Sequence, residues 1–467
     1  MSQQQTRATA APSTRDGLRA GSIGTTGIVF MVVAATAPLT ALASNLSLSL
    51  GSPAGVTTLG AIILVALLMW LFSVGYVSLS KDTSNAAASY AFVSLGLGRT
   101  TGAATAAGAT VTYTLASGAM MCSSGYFLSL GLHMLAGVSI PWWALSALVW
   151  GAVAALGYAD IGESRRVAVI IGCAEFAILG ALAVAVAVRR PQGFTPDHAL
   201  PDTFDVNGLA VALVYVTLCF GGFEAAAVYS EEAGSRRDVG RAVRRCLALL
   251  TGVYFIATWA VVAAFPDVHE AAQEPGTLVS RAASAFLGSW AGSLVGAMTA
   301  VSFTAAAITY HQTASRYLFA MGREGIFPRS WSRLNARRVP ARAVTVQLAC
   351  AAAVIALPAL TGLDPLADLF PAVAGITSLA LSTGFALLSL GAVVASLRGR
   401  LTDISRWRTV VAPGAAFTGF TVVAVLVIAH YDEVVGSDAL AARVSPAVLL
   451  IASGYGVYAA RRRTDRR

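Results

Sequence analysis

Charge is scarce in this chain. Asp, Glu, Lys and Arg make up 12% of its 467 residues, about half the usual share in a soluble domain. A water-soluble globular protein of this length is thereby excluded, because the uncharged runs are too long to leave a polar face for solvent. Cysteine is also sparse. The five residues Cys122, Cys173, Cys219, Cys246 and Cys350 form no CxxC and have no histidine beside them, which argues against a metal ribbon or disulfide framework and for packing roles. No HExxH, nucleophile elbow or phosphate-binding loop is placed to do chemistry, so the expectation is no enzyme, no cofactor and no metal. Residues 1–20 contain no apolar h-region and read as a disordered polar tail rather than a signal peptide. The net charge of +9 comes from basic residues in short loops. They share no single amphipathic face, so nucleic acid is not expected as a partner.

What remains is apolar. Hydrophobic residues make up 56% of the chain and the mean hydropathy is +0.70, concentrated in runs of 18 residues or more that are long enough to cross a bilayer. These place spans near 23–48, 54–79, 101–131, 142–159, 166–188, 207–232, 244–265, 284–314, 342–361, 366–397, 409–430 and 442–460. The expected class is an all-α polytopic membrane protein of about 12 transmembrane helices. With both termini in the cytoplasm, 28 of the 32 Lys and Arg fall inside, and only Arg189, Arg190, Arg281 and Arg443 fall outside. That bias is the expected one and a shift by one helix destroys it. Of the 23 Asp and Glu, two lie well inside the spans, Glu175 and Glu224. Either can be a polar spot facing another helix. A carboxyl at membrane depth is costly enough that a functional role is the first hypothesis.

Two spans interrupt themselves. The first reads IVFMVVAATAPLTALASNL over 28–46. Its Pro38 lacks an N–H and crowds the carbonyl of Ala34. The sixth, LVYVTLCFGGFEAAAVYSEEAG, carries Gly221 and Gly222 at mid-depth. A glycine pair also suits close helix packing. The two breaks, however, occupy matching places in halves offset by five spans, and an odd offset inverts the second half. Interrupted helices at corresponding positions of inverted repeats mark a transporter's midplane site. An opened turn exposes N–H groups that attract a carboxylate and carbonyls that attract an ammonium group, so a zwitterion such as an amino acid fits, as do other small polar solutes.

Four stretches then resemble the amino acid–polyamine–organocation (APC) superfamily of permeases: VVAATAPLTALAS in the first span, the loop KDTSNAAASYAFVSLGLGR at 81–99, FGGFEAAAVYSEEAGSRRDVGRAV at 220–243, and YHQTASRYLFAMGREGIFP at 310–328. The resemblance implies a ten-helix core of two inverted five-helix repeats over 21–397, peripheral helices 11 and 12 over 398–460, and a basic tail over 461–467. It implies alternating-access transport across the cytoplasmic membrane. It also implies substrate contacts at Ala35, Thr36, Ala37, Pro38, Leu39, Phe220, Gly221, Gly222 and Phe223, with Tyr113 and Ser117 on the third span and His311 and Gln312 on the eighth. Relatives couple transport to sodium or protons. Glu175 stands where proton-coupled relatives often carry lysine, and Glu224 follows the second break, so Glu175, Glu224 and His311 are the coupling candidates. His311 at a helix end is also a common packing residue.

The chain departs from the family's pattern in places. Ala-Thr-Ala-Pro replaces the frequent Gly-Ser-Gly of the first span, Gln312 replaces an asparagine, and Ser235 and Gly240 replace prolines. The first of these puts the carboxylate cradle in question. A channel would need a continuous polar lining, which the apolar spans do not offer, and no appended signalling domain points to a sensor. Among transporters the expectation is proton-coupled amino acid uptake, with a polyamine or organic-cation transporter or exchanger as the alternative. The latter draws on two intramembrane acids and on aromatic residues able to face a cation. Expected partners are therefore a small amino acid or amine, membrane lipid, and a proton or sodium ion.

Overall fold

The computed structural model describes residues 25–79, 88–159, 161–199, 205–223, 236–401, 404–435 and 445–464, and within these every regular element is helical. α1 (Thr25–Thr36) stops at a break and resumes as α2 (Pro38–Ala41), which passes through a wide turn at Leu42–Leu46 into Ser47–Gly51. Then follow α3 (Thr57–Leu79), α4 (Ala88–Leu97), α5 (Arg99–Ala136), α6 (Trp142–Tyr158) and α7 (Ile161–Arg189). The second half runs α8 (Val206–Cys219), α9 (Arg236–Ala264), α10 (Pro275–Leu287), α11 (Ser289–Arg323), α12 (Ala341–Thr361) and α13 (Phe370–Leu397). α14 (Ala412–Ala429) and α15 (Ala447–Thr464) close the chain. Eight of the described helical stretches are long and apolar enough to cross a membrane, and α6 and α8 are shorter apolar helices. The second half of the sixth expected span, with Glu224, lies outside the described residues, as does the loop at 80–87.

Among the described residues the two halves repeat one pattern: a helix that stops at mid-span, a long helix, a short helix joined by one glycine to a very long helix, and two further helices. The glycine joints make the repeat concrete. Ser94, Gly98 and Gly102 stand at the α4–α5 corner, and Ser284, Gly288 and Gly292 stand at the α10–α11 corner with the same spacing. Gly98 has φ 91° and ψ 163°, and Gly288 has φ 103° and ψ 160°. That backbone conformation is nearly closed to residues with a Cβ. At both corners the glycine amide donates to the serine carbonyl, at 3.1 Å each time. A Cβ added at Gly102 or Gly292 would strike the Ser94 or Ser284 hydroxyl.

These corners correct the expected loop at 81–99, which is helical over Ala88–Leu97, and the expected boundaries of the eighth span. The apolar pattern over 284–314 crosses Gly288 without a gap, but the chain turns there, and α11 begins at Ser289. α11 also extends to Arg323, so the YHQTASRYLFAMGR stretch is helical up to that residue rather than lying at a span's end. Likewise α9 starts at Arg236, eight residues before the apolar run, since helical hydrogen bonding continues past the hydrocarbon boundary.

α5 and α11 pack along one another through the middle of the bundle, α1 lies against α7, α9 and α11, α13 and α14 are paired, and α15 packs on α5. Close backbone approach decides some of these contacts. A Cβ on Gly96 of α4 would fall 2.0 Å from the Gly391 carbonyl oxygen of α13. Gly96→Ala is therefore expected to destabilise by about 1–3 kcal/mol, as overpacking does. It would appear as a lower Tm in detergent, whereas Gly60→Ala on α3, whose added methyl meets nothing within 4 Å, should hold the parent Tm or raise it.

Candidate functional site

Pro38 supplies no N–H, and Ala37 adopts φ 41° and ψ 76°, a left-handed conformation unusual for alanine. Together they open α1 at mid-span. The Ala37 amide still donates to the Val33 carbonyl (2.8 Å), and Ala41 resumes the ladder by donating to Ala37 (2.9 Å). Between them, the Leu39 and Thr40 amides lose their helical acceptors. Each buried N–H left without an acceptor costs several kcal/mol in hydrocarbon, and each is met here by a side chain from another helix. Leu39 N–H donates to Glu175 Oε2 on α7 at 3.3 Å. Thr40 N–H donates to Ser302 Oγ on α11 at 3.2 Å, and the Thr40 hydroxyl donates to the same oxygen at 2.8 Å. Ser302 lies beside Glu175, so the two pairs form one polar cluster. Glu175 is 1% exposed and Ser302 fully buried.

The carbonyl side of the break has its own partner. The Tyr254 hydroxyl on α9 lies 3.3 Å from the Thr36 carbonyl and 2.7 Å from the Cys219 carbonyl at the end of α8. One side chain therefore clips the two broken helices together. Past Cys219 the chain tightens into turns: Phe220 N–H donates to Thr217 O, Gly221 N–H to Leu218 O, and Phe223 N–H to Phe220 O. Gly222 sits at φ 90°, and Phe220 packs edge-on against Tyr254 at 5.4 Å. The Tyr310 hydroxyl of α11 donates to the Gly221 carbonyl at 3.4 Å. The Tyr310 ring in turn packs at a tilt against Tyr113, with centroids 5.6 Å apart.

Thus Thr36, Ala37, Pro38, Leu39, Phe220, Gly221 and Gly222 line the two breaks, Phe223 is buried in the same apolar cluster as Phe220, and Tyr113 reaches them through Tyr310. Ala35 is in the last turn of α1. Ser117 is tied elsewhere: its hydroxyl donates to the Ala307 carbonyl at 3.2 Å and joins α5 to α11. His311 is apart from the Glu175 group. It lies nine residues along α11 from Ser302, about 13 Å of helix, with its Nε2 against Gly157 of α6. Gln312 carries Arg316, which donates to its backbone carbonyl at 3.1 Å and to its side-chain oxygen at 3.4 Å.

Thr40, Tyr254, Ser302 and Tyr310 were not foreseen. Each reads in sequence as one hydroxyl in an apolar run. Only its partner across the bundle distinguishes it from a hydroxyl bonded within its own helix. Beside the breaks, a small cavity of about 40 Å³ is bounded by Asn45, Ala116, Leu218, Tyr310, Val373 and Thr377. It has room for a few waters, far below the several hundred Å³ of an ordinary ligand pocket. The described conformation therefore holds this cavity too tight for an amino acid.

A family model described as Amino acid permease matches residues 23–451. The chain belongs to the amino acid permease family. This permease is 26% identical over 228 residues to the protein named Cationic amino acid transporter 2, vacuolar, of Arabidopsis thaliana, covering 48% of the chain and 35% of the relative. It is 28% identical over 176 residues to the low-affinity putrescine importer PlaP of Escherichia coli, covering 35% of each. The matched stretches thus span about a third of each relative's length. Over 94% of this chain and 100% of its partner, the fold superposes on the crystal structure of MhsT in complex with L-phenylalanine, with a TM-score of 0.61 at 15% identity. That likeness establishes a shared fold. The permease is an integral membrane protein of a transporter family.

Tyr254→Phe removes the clip between the breaks while keeping the ring on Phe220. The expected loss is about 1 kcal/mol of stability for one buried hydrogen bond, measured as a lower Tm, and a Cys219→Ala control, which keeps the backbone carbonyl, should retain the clip.

Proposed function

We propose that this protein is a secondary active transporter that carries amino acids across the cytoplasmic membrane by alternating access, with uptake coupled to protons through Glu175. The observation that carries the reading is the Leu39–Glu175–Ser302–Thr40 cluster, because it ties a buried carboxylate directly to the broken backbone of α1. An ionised carboxylate only accepts hydrogen bonds, and protonation turns one of its oxygens into a donor. A proton arriving at Glu175 therefore rewires the contacts that hold the break, which is how a proton gradient is converted into a change of helix position. Substrate enters when the breaks separate, since the cavity beside them is too small to receive it in this conformation. Glu224 and His311 are secondary candidates for coupling, Ala35 to Leu39 and Phe220 to Phe223 for substrate contact, with both termini on the cytoplasmic side.

A second reading, a cationic amine or polyamine as cargo, is favoured by a specific feature of the break. The Leu39 and Thr40 donors that would hold a carboxylate are already occupied by Glu175 and Ser302. The break takes the carbonyls of Ala34, Ala35 and Thr36 from their helical donors, and Tyr254 meets the last of them, so the carbonyl side is the one better suited to an ammonium group. The names of the relatives above, a cationic amino acid transporter and a putrescine importer, agree with it.

Uptake into proteoliposomes under an imposed pH gradient, acidic outside, tests both readings. The parent protein should accumulate an amino acid or amine. Glu175→Gln should lose gradient-driven accumulation at least tenfold while retaining exchange of labelled for unlabelled substrate. Accumulation by Glu175→Gln with unchanged pH dependence would sink the proton-coupling assignment. Competition by polyamines but not by neutral amino acids would select the second reading.

A further inference from the structure

Away from the broken helices, a crevice of about 780 Å³ separates α5, α13 and the ends of α14 and α15. Its size is that of a site for a substantial ligand. The cluster of Glu175, Leu39, Thr40 and Ser302 takes no part in its walls, and Tyr113 is the one substrate-contact candidate that borders it. Hydroxyls occur along its length, those of Thr105 and Thr112 donating to the Thr101 and Gly108 carbonyls of their own helix and Thr383 and Ser453 adding two more, and further polar groups mark its two ends. Asp432 stands at one, near the start of the α14–α15 connection, and Ser89 and Thr101 stand at the other. The walls between are mostly alanine, glycine and leucine of α5 and α13.

Three observations identify the occupant. On α5 the lining runs from Thr101 to Tyr113, twelve residues of helix or about 18 Å, close to the half-thickness of a hydrocarbon core of about 30 Å. The lip carries Ile428 and Leu450, which are 64% and 76% exposed and belong to the same apolar outer surface as the other membrane-facing side chains. The crevice is thus continuous with the lipid-facing belt of the bundle and opens sideways into the bilayer. Its walls offer alanine, glycine and leucine over an acyl chain's reach, and the α5 threonines between them, Thr105 and Thr112, spend their hydroxyls on carbonyls of their own helix.

We propose that this crevice binds one acyl chain of a bilayer phospholipid. The seated chain wedges between α5 and α13, two helices that also bear on the breaks. Its inner wall includes Tyr113, 5.6 Å from the Tyr310 ring whose hydroxyl reaches Gly221, and Leu381, whose Cδ1 a Cβ on Gly221 would meet at 2.8 Å. The proposal rests on the membrane-embedded fold and stands whatever the cargo is.

The test uses the full chain in phospholipid nanodiscs containing a phosphatidylethanolamine with a photoreactive diazirine near the end of one acyl chain. After irradiation, labelled peptides are mapped by mass spectrometry. Adducts are expected on 101–113 and 379–388, as well as on ordinary lipid-facing residues such as Leu360, which is 86% exposed. Gly384 lines the crevice, and a Cβ there meets nothing within 4 Å. Gly384→Leu, with Thr105→Leu as an independent plug should the first fold poorly, is expected to cut the crevice adducts at least fivefold and leave those at Leu360 unchanged. Crevice labelling equal in parent and plugged proteins, or labelling confined to the outer surface, would overturn the proposal. So would a zero-length cross-link joining the crevice to residues 1–24 of the tail or to a second copy of the chain, each of which names a different occupant.

Discussion

A helix opened inside a membrane leaves amide groups that no water can satisfy, and much of this bundle is arranged around meeting that requirement. Pro38 and the left-handed Ala37 open α1, and the Leu39 and Thr40 amides must then find acceptors from elsewhere. α7 supplies Glu175, α11 supplies Ser302, and α9 supplies Tyr254 for the carbonyl side. Four helices are thereby fixed around one turn of backbone. The contacts are polar, few and directional, unlike the surrounding packing of Val, Leu and Ala. They can be broken and remade together, whereas close-packed apolar walls resist gradual deformation.

The same logic explains why Tyr254 reaches two carbonyls and not one. α1 and α8 are corresponding helices of the two repeats, and their opened ends meet where the repeats face each other. A hydroxyl placed between Thr36 and Cys219 couples the two breaks, so movement of either is felt by the other. The glycine corners before α5 and α11 are the rigid counterpart of these breaks. With matching backbone angles at Gly98 and Gly288, they set the two longest helices at equivalent attitudes. α5 and α11 then form the frame against which α1 and α8 are held.

α5 also faces the opposite way, toward the crevice shared with α13. Tyr113 borders that crevice on one side and meets Tyr310 on the other, so one ring lies between the membrane-facing crevice and the broken helices. Arrangement of the outer helices α14 and α15 therefore bears on the interior through α5 and α13. Their packing is more than an outer cover.

Charge scarcity, long apolar runs and basic loops were enough to establish an all-helical membrane protein, because the bilayer leaves the backbone few alternatives. The breaks at Pro38 and Gly221–Gly222 were also legible, since proline and glycine act through their own covalent structure and need no partner. Glu175 stood out because a carboxyl at membrane depth demands an explanation. The α4–α5 and α10–α11 corners were not read: in the apolar pattern Gly288 looks like any small residue, and its positive φ is a property of the folded backbone. Nor could hydropathy distinguish Ser302, Thr40 and Tyr254 from hydroxyls bonded within their own helices, or show that His311 belongs against Gly157 and away from Glu175. Local chemistry decided where the chain could break. Which side chains answer the break depends on residues 136 and 262 positions apart meeting in space, and only tertiary packing brings them there.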